Sequence, residues 1–520
     1  MLFWFGTRQP GSLSELMSAP TPASGQPLLI GELFRRNAEH VPQRVAASLG
    51  EELVTHAELN ARGNRLAHAL AELGIGRGDR VVSWADTGLE VLPLFVALAK
   101  LGAVFAPLNA RLGVDEAADV VALARPQLLV ADAARAEMAA IVAKASGVEQ
   151  IAQVSGQGPG IDWRDPSLPT PSHEPDDAGL CEGDPHVIFF TSGSTGRPKG
   201  VLLSHRANYL RSYHGVFRDE PERSVCMFPL FHMAAFTLAL SAWQTRGEIA
   251  FVAAATADAI FEAVARRRAN RLYCIPAIWG RILETDPSRF DTSSLREIDT
   301  GTSATPIELL RALKERFPGA RTRVYYGSTE VGAGTALPDA DVLRKPGSVG
   351  LPPAGVDLKL TESGEICLRS ACLCDGYFEN PEATAAALRD GWFHTGDLGE
   401  LDDEGYLSII GRLQEIIRSG GESVAPAEVE AVLADCAGVS EVAVVAIPDP
   451  AWGEIVCAAV VPEPGAQPTL DAIQRHCEAR LAGFKKPRRL ALVDQLPRTA
   501  ATGQVQRTLL VERIVADGQG

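Results

Sequence analysis

Apolar and polar positions alternate along the chain with two different periods. Behind Thr55, residues Leu59, Leu66, Leu70 and Leu73 fall on one helical face. Thr55 and Glu58 make a capping box ahead of that face, and Gly74 closes it, since glycine accepts positive φ at a helix end. "DRVVSWA" (Asp79 to Ala85) then reads as a short buried strand, "PLFVALAKLG" as a helix and "PQLLVAD" (Pro126 to Asp132) as another strand. Asn380, a cap residue, and Pro381, suited to a first helical position, open a helix through Leu388. This alternation, from about Leu28 onward, predicts an α/β fold with sheets buried between helices. "GRLQEIIRSGGESVAPAEVE" (Gly411 to Glu430) follows a strand ending at Ile410 and reads as a polar joint. The expected division is a flexible N-terminal tail over 1–26, a large domain of several subdomains over 27–412, and a small mobile α+β domain over 413–520.

Composition narrows the function. The 520 residues are 46% apolar and 22% charged, which fits a soluble globular protein of more than one domain. A formal net charge of −16 argues against nucleic-acid binding, which needs a concentrated positive surface. The nine cysteines are scattered and show no paired zinc spacing, so reduced thiols in a cytoplasmic protein are expected. The apolar start "MLFWF" is too short for a secretion signal, and no run approaches the roughly 20 apolar residues of a membrane span.

The stretch "HVIFFTSGSTGRPKGVLLSHRAN" concentrates the chemistry. A strand over His186 to Phe190 leads into a loop from Thr191 to Gly200, and Ser204 can cap the next helix. Gly193, Gly196 and Gly200 let backbone amides approach an anion, while Thr191, Ser192, Ser194, Thr195 and Lys199 add hydroxyls and charge. This makes a polyphosphate cradle. It is not the Gly-Lys-Ser/Thr loop of kinases and motor ATPases, because Lys199 is followed by Gly200 and Val201. The plainer alternative is a Gly/Ser surface hairpin.

Further motifs follow in order: "PLFHMAAF" (Pro229 to Phe236), "DTGTSATP" (Asp299 to Pro306), "YYGSTE" (Tyr325 to Glu330), "GWFHTGDLG" (Gly391 to Gly399) and the joint itself. Together with "TSGSTGRPKG" they resemble the adenylate-forming superfamily in its acyl- and aryl-CoA ligase branch. The resemblance implies an acid–thiol ligase using ATP, Mg²⁺ and coenzyme A: a carboxylate first forms an acyl-adenylate, and a thiol then displaces AMP. On it, the residues of the cradle would hold the phosphates. Gly301, Thr302, Ser303, Tyr326 and Gly327 would surround adenine, and Thr329 would meet the α-phosphate. Glu330 with Thr191 would hold Mg²⁺, and Asp397 and Arg412 the ribose. His232, Met233, Ala235, Thr300, Gly301, Gly332 and Ala333 would line the acid pocket, with room for a fatty chain or a ring system. His232 would gate that pocket or orient the carboxylate; simple packing is the alternative. No aspartate accompanies His232 in "FHMAA", so a buried α-ammonium would lack a partner, which argues against an amino acid. Gly420, Gly421, Trp452, Phe484, Lys486 and Arg488 would contact CoA, or in a second reading an acyl carrier protein. Gln414 would be the hinge. A homodimer is compatible with all of this.

One segment departs from the family. "TAATGQVQR" (Thr499 to Arg507) stands where relatives carry a catalytic lysine, with an extra alanine and Gln504 in its place. Counting without the insertion puts Gly503 there instead. Either way no ammonium offsets the repulsion between carboxylate and phosphate, so adenylation is expected to be impaired, by about 10²–10³ for one good donor. A slow natural enzyme, an introduced substitution and a non-catalytic binder of acyl-adenylate or CoA all fit this departure.

Overall fold

The two periods of the sequence become layers. The structure is a computed structural model that describes residues 27–154, 172–176, 179–192, 198–213, 218–419, 422–450, 452–478, 480–499 and 503–516. The tail expected over 1–26 lies outside them. A seven-stranded sheet takes the spatial order Gly376–Tyr377, Pro198–Ser204, Pro185–Ser192, Val104–Pro107, Arg80–Trp84, Leu128–Ala131, Gln150–Gln153. Its strands are buried on both faces. Val81 and Phe105 face one apolar cluster, while Val82, Trp84 and Ala106 face another that contains Val120, Val121 and Val142 from helices Val114–Ala124 and Ala136–Ser146.

An eight-stranded sheet runs Gly332–Leu337, Arg321–Ser328, Glu297–Gly301, Arg271–Tyr273, Arg223–Cys226, Glu248–Phe251, Val45–Leu49, Glu52–Thr55. Phe34, Phe95, Phe236 and Trp243, from helices Ile30–His40, Leu92–Leu101 and Met233–Gln244, join one cluster with Val81 and Val187 of the first sheet and Val225 and Ile249 of the second. Packing both sheets against shared helices fixes their mutual position, because interiors of this density do not slide. A smaller sheet, built mainly of Ser348–Gly350, Leu407–Arg412, Trp392–Leu401, Glu365–Ser370 and Val356–Leu360, carries Asp397 opposite Arg412.

The C-terminal unit has its own core from Ile417 onward. In the strand Val439–Asp449, Val444 faces helices Pro426–Leu433 and Leu470–Cys477, while Val445 and Ile447 face helix Arg507–Ala516. All nine cysteines are unpaired. Among the described residues no helix is long and apolar enough to cross a membrane.

Local expectations hold with two adjustments of boundary. Thr55 and Glu58 form the capping box, Gly74 sits at φ +81°, and Asn380 accepts from the Ala383 amide. The strand expected to end at Ile410 continues to Arg412, because Asp397 and Arg412 close the ladder. The phosphate loop is shorter than Thr191 to Gly200: Thr191 pairs with Lys199 and Ser192 with Pro198, so both ends are strand. Gly193, Ser194, Thr195 and Gly196 of the loop lie outside the described residues, as do Gly420 and Gly421 of the joint.

Candidate active site

Each half of the site is built by strand ends. The hairpin of Pro185–Ser192 and Pro198–Ser204 presents Thr191 and Lys199 side by side, and Ser204 caps helix His205–Arg211. Strand Gly376–Tyr377 pairs with the same hairpin, which brings Tyr377 beneath it. Lys199 Nζ stands 5.1 Å from the centre of the Tyr377 ring, and the Tyr377 hydroxyl donates to Glu330 Oε1 at 3.0 Å. Ser328 Oγ donates to Glu330 Oε2 at 2.8 Å. The Glu330 carboxylate is therefore aimed by two hydroxyls and stands close to the phosphate hairpin. Such a carboxylate fits Mg²⁺, a hard cation that prefers oxygen ligands.

Behind this carboxylate lies Arg211, 3% exposed, which donates to the carbonyls of Thr329 (2.9 Å) and Cys372 (2.5 Å). It holds the turn that carries Thr329 and Glu330. Gly327 is needed in the same turn, since a Cβ there would meet the Gly332 carbonyl at 1.9 Å. Gly332 has φ +71°, and a Cβ there would lie 3.4 Å from the Arg211 side chain.

The two residues expected to hold the ribose, Asp397 and Arg412, meet each other. Asp397, 8% exposed, accepts from the Tyr326 hydroxyl at 2.7 Å and pairs with Arg412 Nε at 2.9 Å. Burial raises its carboxyl above the ordinary range, and Arg412 and Tyr326 oppose that shift. Tyr326, expected on adenine, thus also orients the group meant for the sugar.

The pocket side is mixed. His232 caps helix Met233–Gln244, its Nδ1 accepting from the Ala234 amide at 3.2 Å, and its ring stacks on Phe228 at 5.4 Å. Burial depresses its pKa to about 4, so the ring is neutral near pH 7. Met233 is partly buried and accepts from Thr237. Ala235 is wholly buried among the apolar residues between the two sheets. Ala333 is partly exposed. The segment Thr300 to Ser303 shows marks of a binding edge. A Cβ on Gly301 would meet the Tyr325 carbonyl at 2.3 Å, and Thr302 holds φ +69°, a strained value for a branched residue. The hydroxyls of Thr300 and Thr302 are buried without a partner, which leaves donors for a bound nucleotide or acid.

Gln504 reaches this edge from the C-terminal unit. Its Nε2 donates to the Thr302 carbonyl at 3.2 Å, while its backbone exchanges bonds with Thr499. Gly503 at φ +70° makes the turn. Of the two alignments left open by the sequence, the structure brings the side chain of Gln504 to the site. Gln414 is exposed in the short 3-10 turn Leu413–Glu415. The proposed CoA contacts stay within the C-terminal unit: Arg488 lies 3.8 Å from the centre of the Trp452 ring, Lys486 pairs with Glu478, and Phe484 packs on the core there. Beside Arg488 an open surface depression is lined by Leu470, Arg489, Leu490 and Leu492. Sequence reasoning gave no role to Tyr377, Ser328 and Arg211; the place of Ser328 within "YYGSTE" and of Tyr377 beside the capped helix at Asn380 were the hints.

The hairpin with Lys199, the Glu330 carboxylate, the Asp397–Arg412 pair and the second unit reaching Thr302 through Gln504 are arranged as expected for an adenylate-forming enzyme. The comparisons agree. Residues 34–378 match the model of the AMP-binding enzyme, and 428–502 that of its C-terminal domain, which stops just short of Gln504. The chain belongs to the AMP-binding enzyme family, and within it is an AMP-forming acid–thiol ligase that uses ATP, Mg²⁺ and CoA. It is 34% identical over 493 residues to a feruloyl-CoA synthase of Amycolatopsis sp, covering 91% of this chain and 97% of the relative. It is 32% identical over 517 residues to a long-chain-fatty-acid–CoA ligase of Mycobacterium tuberculosis, covering 94% and 99%. The crystal structure of ATP-bound MatB from Rhodopseudomonas palustris superposes with a TM-score of 0.83 at 29% identity, over 93% of this chain and 99% of that one.

Proposed function

We propose that the protein joins a non-amino carboxylic acid, fatty, aryl or polycyclic, to CoA, and that its adenylation step is slow. One observation carries the second clause: a neutral amide, Gln504 Nε2, stands at the Thr302 edge where a cation would offset the charge of the approaching carboxylate and phosphate. Relatives named for a feruloyl and a long-chain substrate support the breadth of acid class. Asp299, on the strand leading into the pocket edge, is taken by Arg271 and Arg323, so it offers no free carboxylate to an ammonium.

In the first step an acid oxygen bonds to the α-phosphorus as the bond to pyrophosphate breaks. Lys199 and the hairpin would hold the phosphates, Glu330 would hold Mg²⁺, and Asp397 with Arg412 would fix the ribose. None of these forms a covalent bond; they position and stabilise charge. The ion, when bound, draws charge from the phosphates. In the second step the CoA thiol loses its proton, attacks the acyl carbon and releases AMP. For that step residues 413–520 turn about Gln414 and bring Trp452, Phe484, Lys486 and Arg488 to the CoA nucleotide. The nine unpaired cysteines suit a cytoplasmic setting.

The test separates the steps. Pyrophosphate exchange with a panel of acids reads adenylation, and supplied acyl-AMP with CoA reads thioester formation. Gln504→Lys is expected to speed the first by about 10²-fold and leave the second unchanged. No acceleration in the variant sinks the slow-adenylation reading. ATP binding without acyl-AMP from either form moves the protein to the non-catalytic binders. A second reading, delivery to an acyl carrier protein, rests on the exposed Trp452 with Arg488 across its face; thioester on the carrier but not on CoA would establish it.

A further inference from the structure

Away from the phosphate hairpin, three side chains that the reaction does not use bring three kinds of donor together. Glu365 and Cys367 stand two positions apart on strand Glu365–Ser370, and His394 is the direct cross-strand partner of Cys367 on strand Trp392–Leu401. His394 Nδ1 lies 2.8 Å from Glu365 Oε2 and 3.3 Å from Cys367 Sγ. All three donor atoms lie within 4.8 Å of one another. Glu365 is 7% exposed and Cys367 0%, and the His394 side chain 14%. A buried histidine–carboxylate pair is satisfied without a thiol; here the sulfur and the carboxylate converge on the same ring nitrogen.

We infer that Glu365, Cys367 and His394 form a binding site for a zinc-class divalent ion, with a fourth position toward solvent beside His394. Donors around zinc at their usual bond lengths stand about 3–3.7 Å apart. The nitrogen–sulfur separation already lies in that range, and the nitrogen–oxygen one opens by a few tenths of an ångström. Thiolate and imidazole select zinc over Mg²⁺ or Ca²⁺, which take oxygen ligands. Binding forms bonds from the ion to sulfur, nitrogen and oxygen and releases the thiol proton to solvent, with no change of oxidation state. His394 binds through Nδ1 with its proton on the other nitrogen.

Two cations stand near. Arg389 lies 3.5 Å from Glu365 Oε2, and its half-exposed side chain withdraws when the ion enters. Lys359 is occupied over the Trp392 ring at 4.4 Å. The Gly396 amide holds Glu365 Oε1 at 3.2 Å and leaves Oε2 for the ion. The ion would cross-link the two strands next to the ribose clamp: Thr395 Oγ1 donates to the Ile366 carbonyl at 2.8 Å and accepts from the Asp397 amide at 3.0 Å. Its place is thus structural support for Asp397, distinct from the Mg²⁺ held at Glu330.

Crystals of the full chain grown with one equivalent of zinc, measured at the zinc absorption edge, test this directly. An anomalous peak between Glu365, Cys367 and His394 is expected; no peak there, or peaks elsewhere only, overturns the site. In solution, Co²⁺ should show a sulfur-to-metal charge-transfer band. The band should vanish in Cys367→Ser and weaken in His394→Gln, with affinity down on the order of 100-fold. Cobalt bound without that band, or equally by both forms, counts against it. Should Cys367→Ser fail to fold by circular dichroism, the anomalous peak on the unmodified protein decides.

Discussion

Asp397 and Gln504, the two residues proposed to face the nucleotide, are held very differently. Asp397 is nearly buried and has the Tyr326 hydroxyl, Arg412 and its own amide on Thr395 to fix it. Gln504 is exposed, and its side chain has one long bond to a carbonyl on the other unit. The large domain presents a finished binding surface before any ligand arrives. The small unit brings one neutral donor to the edge of it, on the turn made by Gly503. Binding of ATP and the chemistry of the first step therefore depend on different parts of the chain. Loss of charge at Gln504 can slow the step without emptying the site.

The largest effect should come from the finished surface. Glu330→Gln keeps size and one hydrogen-bonding oxygen but loses the charge that holds Mg²⁺. Pyrophosphate exchange is expected to fall by about 10²–10³ and to demand more Mg²⁺. If Glu330→Gln leaves exchange unaltered, the carboxylate held by Tyr377 and Ser328 is not the ion's ligand. Next comes Gln504→Lys, moving the same assay in the opposite direction. Were both variants to shift the thioester step as strongly as adenylation, the division between the two regions would fail. Tyr377→Phe follows: the ring under Lys199 stays, and only the bond to Glu330 Oε1 goes. Loss of one such bond costs about 1–1.5 kcal/mol, or roughly tenfold in the rate of acyl-AMP formation. Titration of that rate with Mg²⁺ should show a weaker apparent affinity for the ion.

How far the sequence reached follows from the range of the forces involved. Caps and buried strands are local, so Thr55 with Glu58, Asn380 and Ser204 were legible within a few residues. Motifs with dense chemistry were legible as well, and the fold pairs their residues: Lys199 and Glu330 both meet Tyr377, and Asp397 meets Arg412. The aiming groups were not. Tyr377 meets Glu330 across 47 residues and Arg211 meets Thr329 across 118, and no local period encodes such pairs. Small residues are ambiguous for a related reason. Ala235 and Gly332 suggested an open pocket, and a small side chain equally permits close packing, as in the core at Ala235 and beside Arg211 at Gly332.

The smallest effect at neutral pH sharpens the comparison through stability. His186 and His205 stack in the large domain at 4.5 Å, both 0% exposed, and each has an Nε2 without a partner. Burial lowers both; His205 falls from 6.5 to about 4, and His186 is held well below its usual value. A buried neutral imidazole takes up its proton more readily once unfolded. The stability it contributes is therefore complete above 6.5, the unfolded value, and is lost as pH falls toward the folded one. At about pH 5 His205 alone would cost the fold about 2 kcal/mol, and His186 adds to it in the same direction. The C-terminal unit contains only His476, which bonds to the Val432 carbonyl and Asp435 and has no comparable burial. Mild acid should thus melt the large domain at a lower temperature while the small unit's transition stays nearly in place. Fluorescence follows the first through the buried Trp84, Trp243 and Trp279, and amide exchange in strand Val439–Asp449 follows the second. Equal acid shifts in both would mean that the two units unfold as one, and that the mobility assigned to residues 413–520 does not extend to their stability.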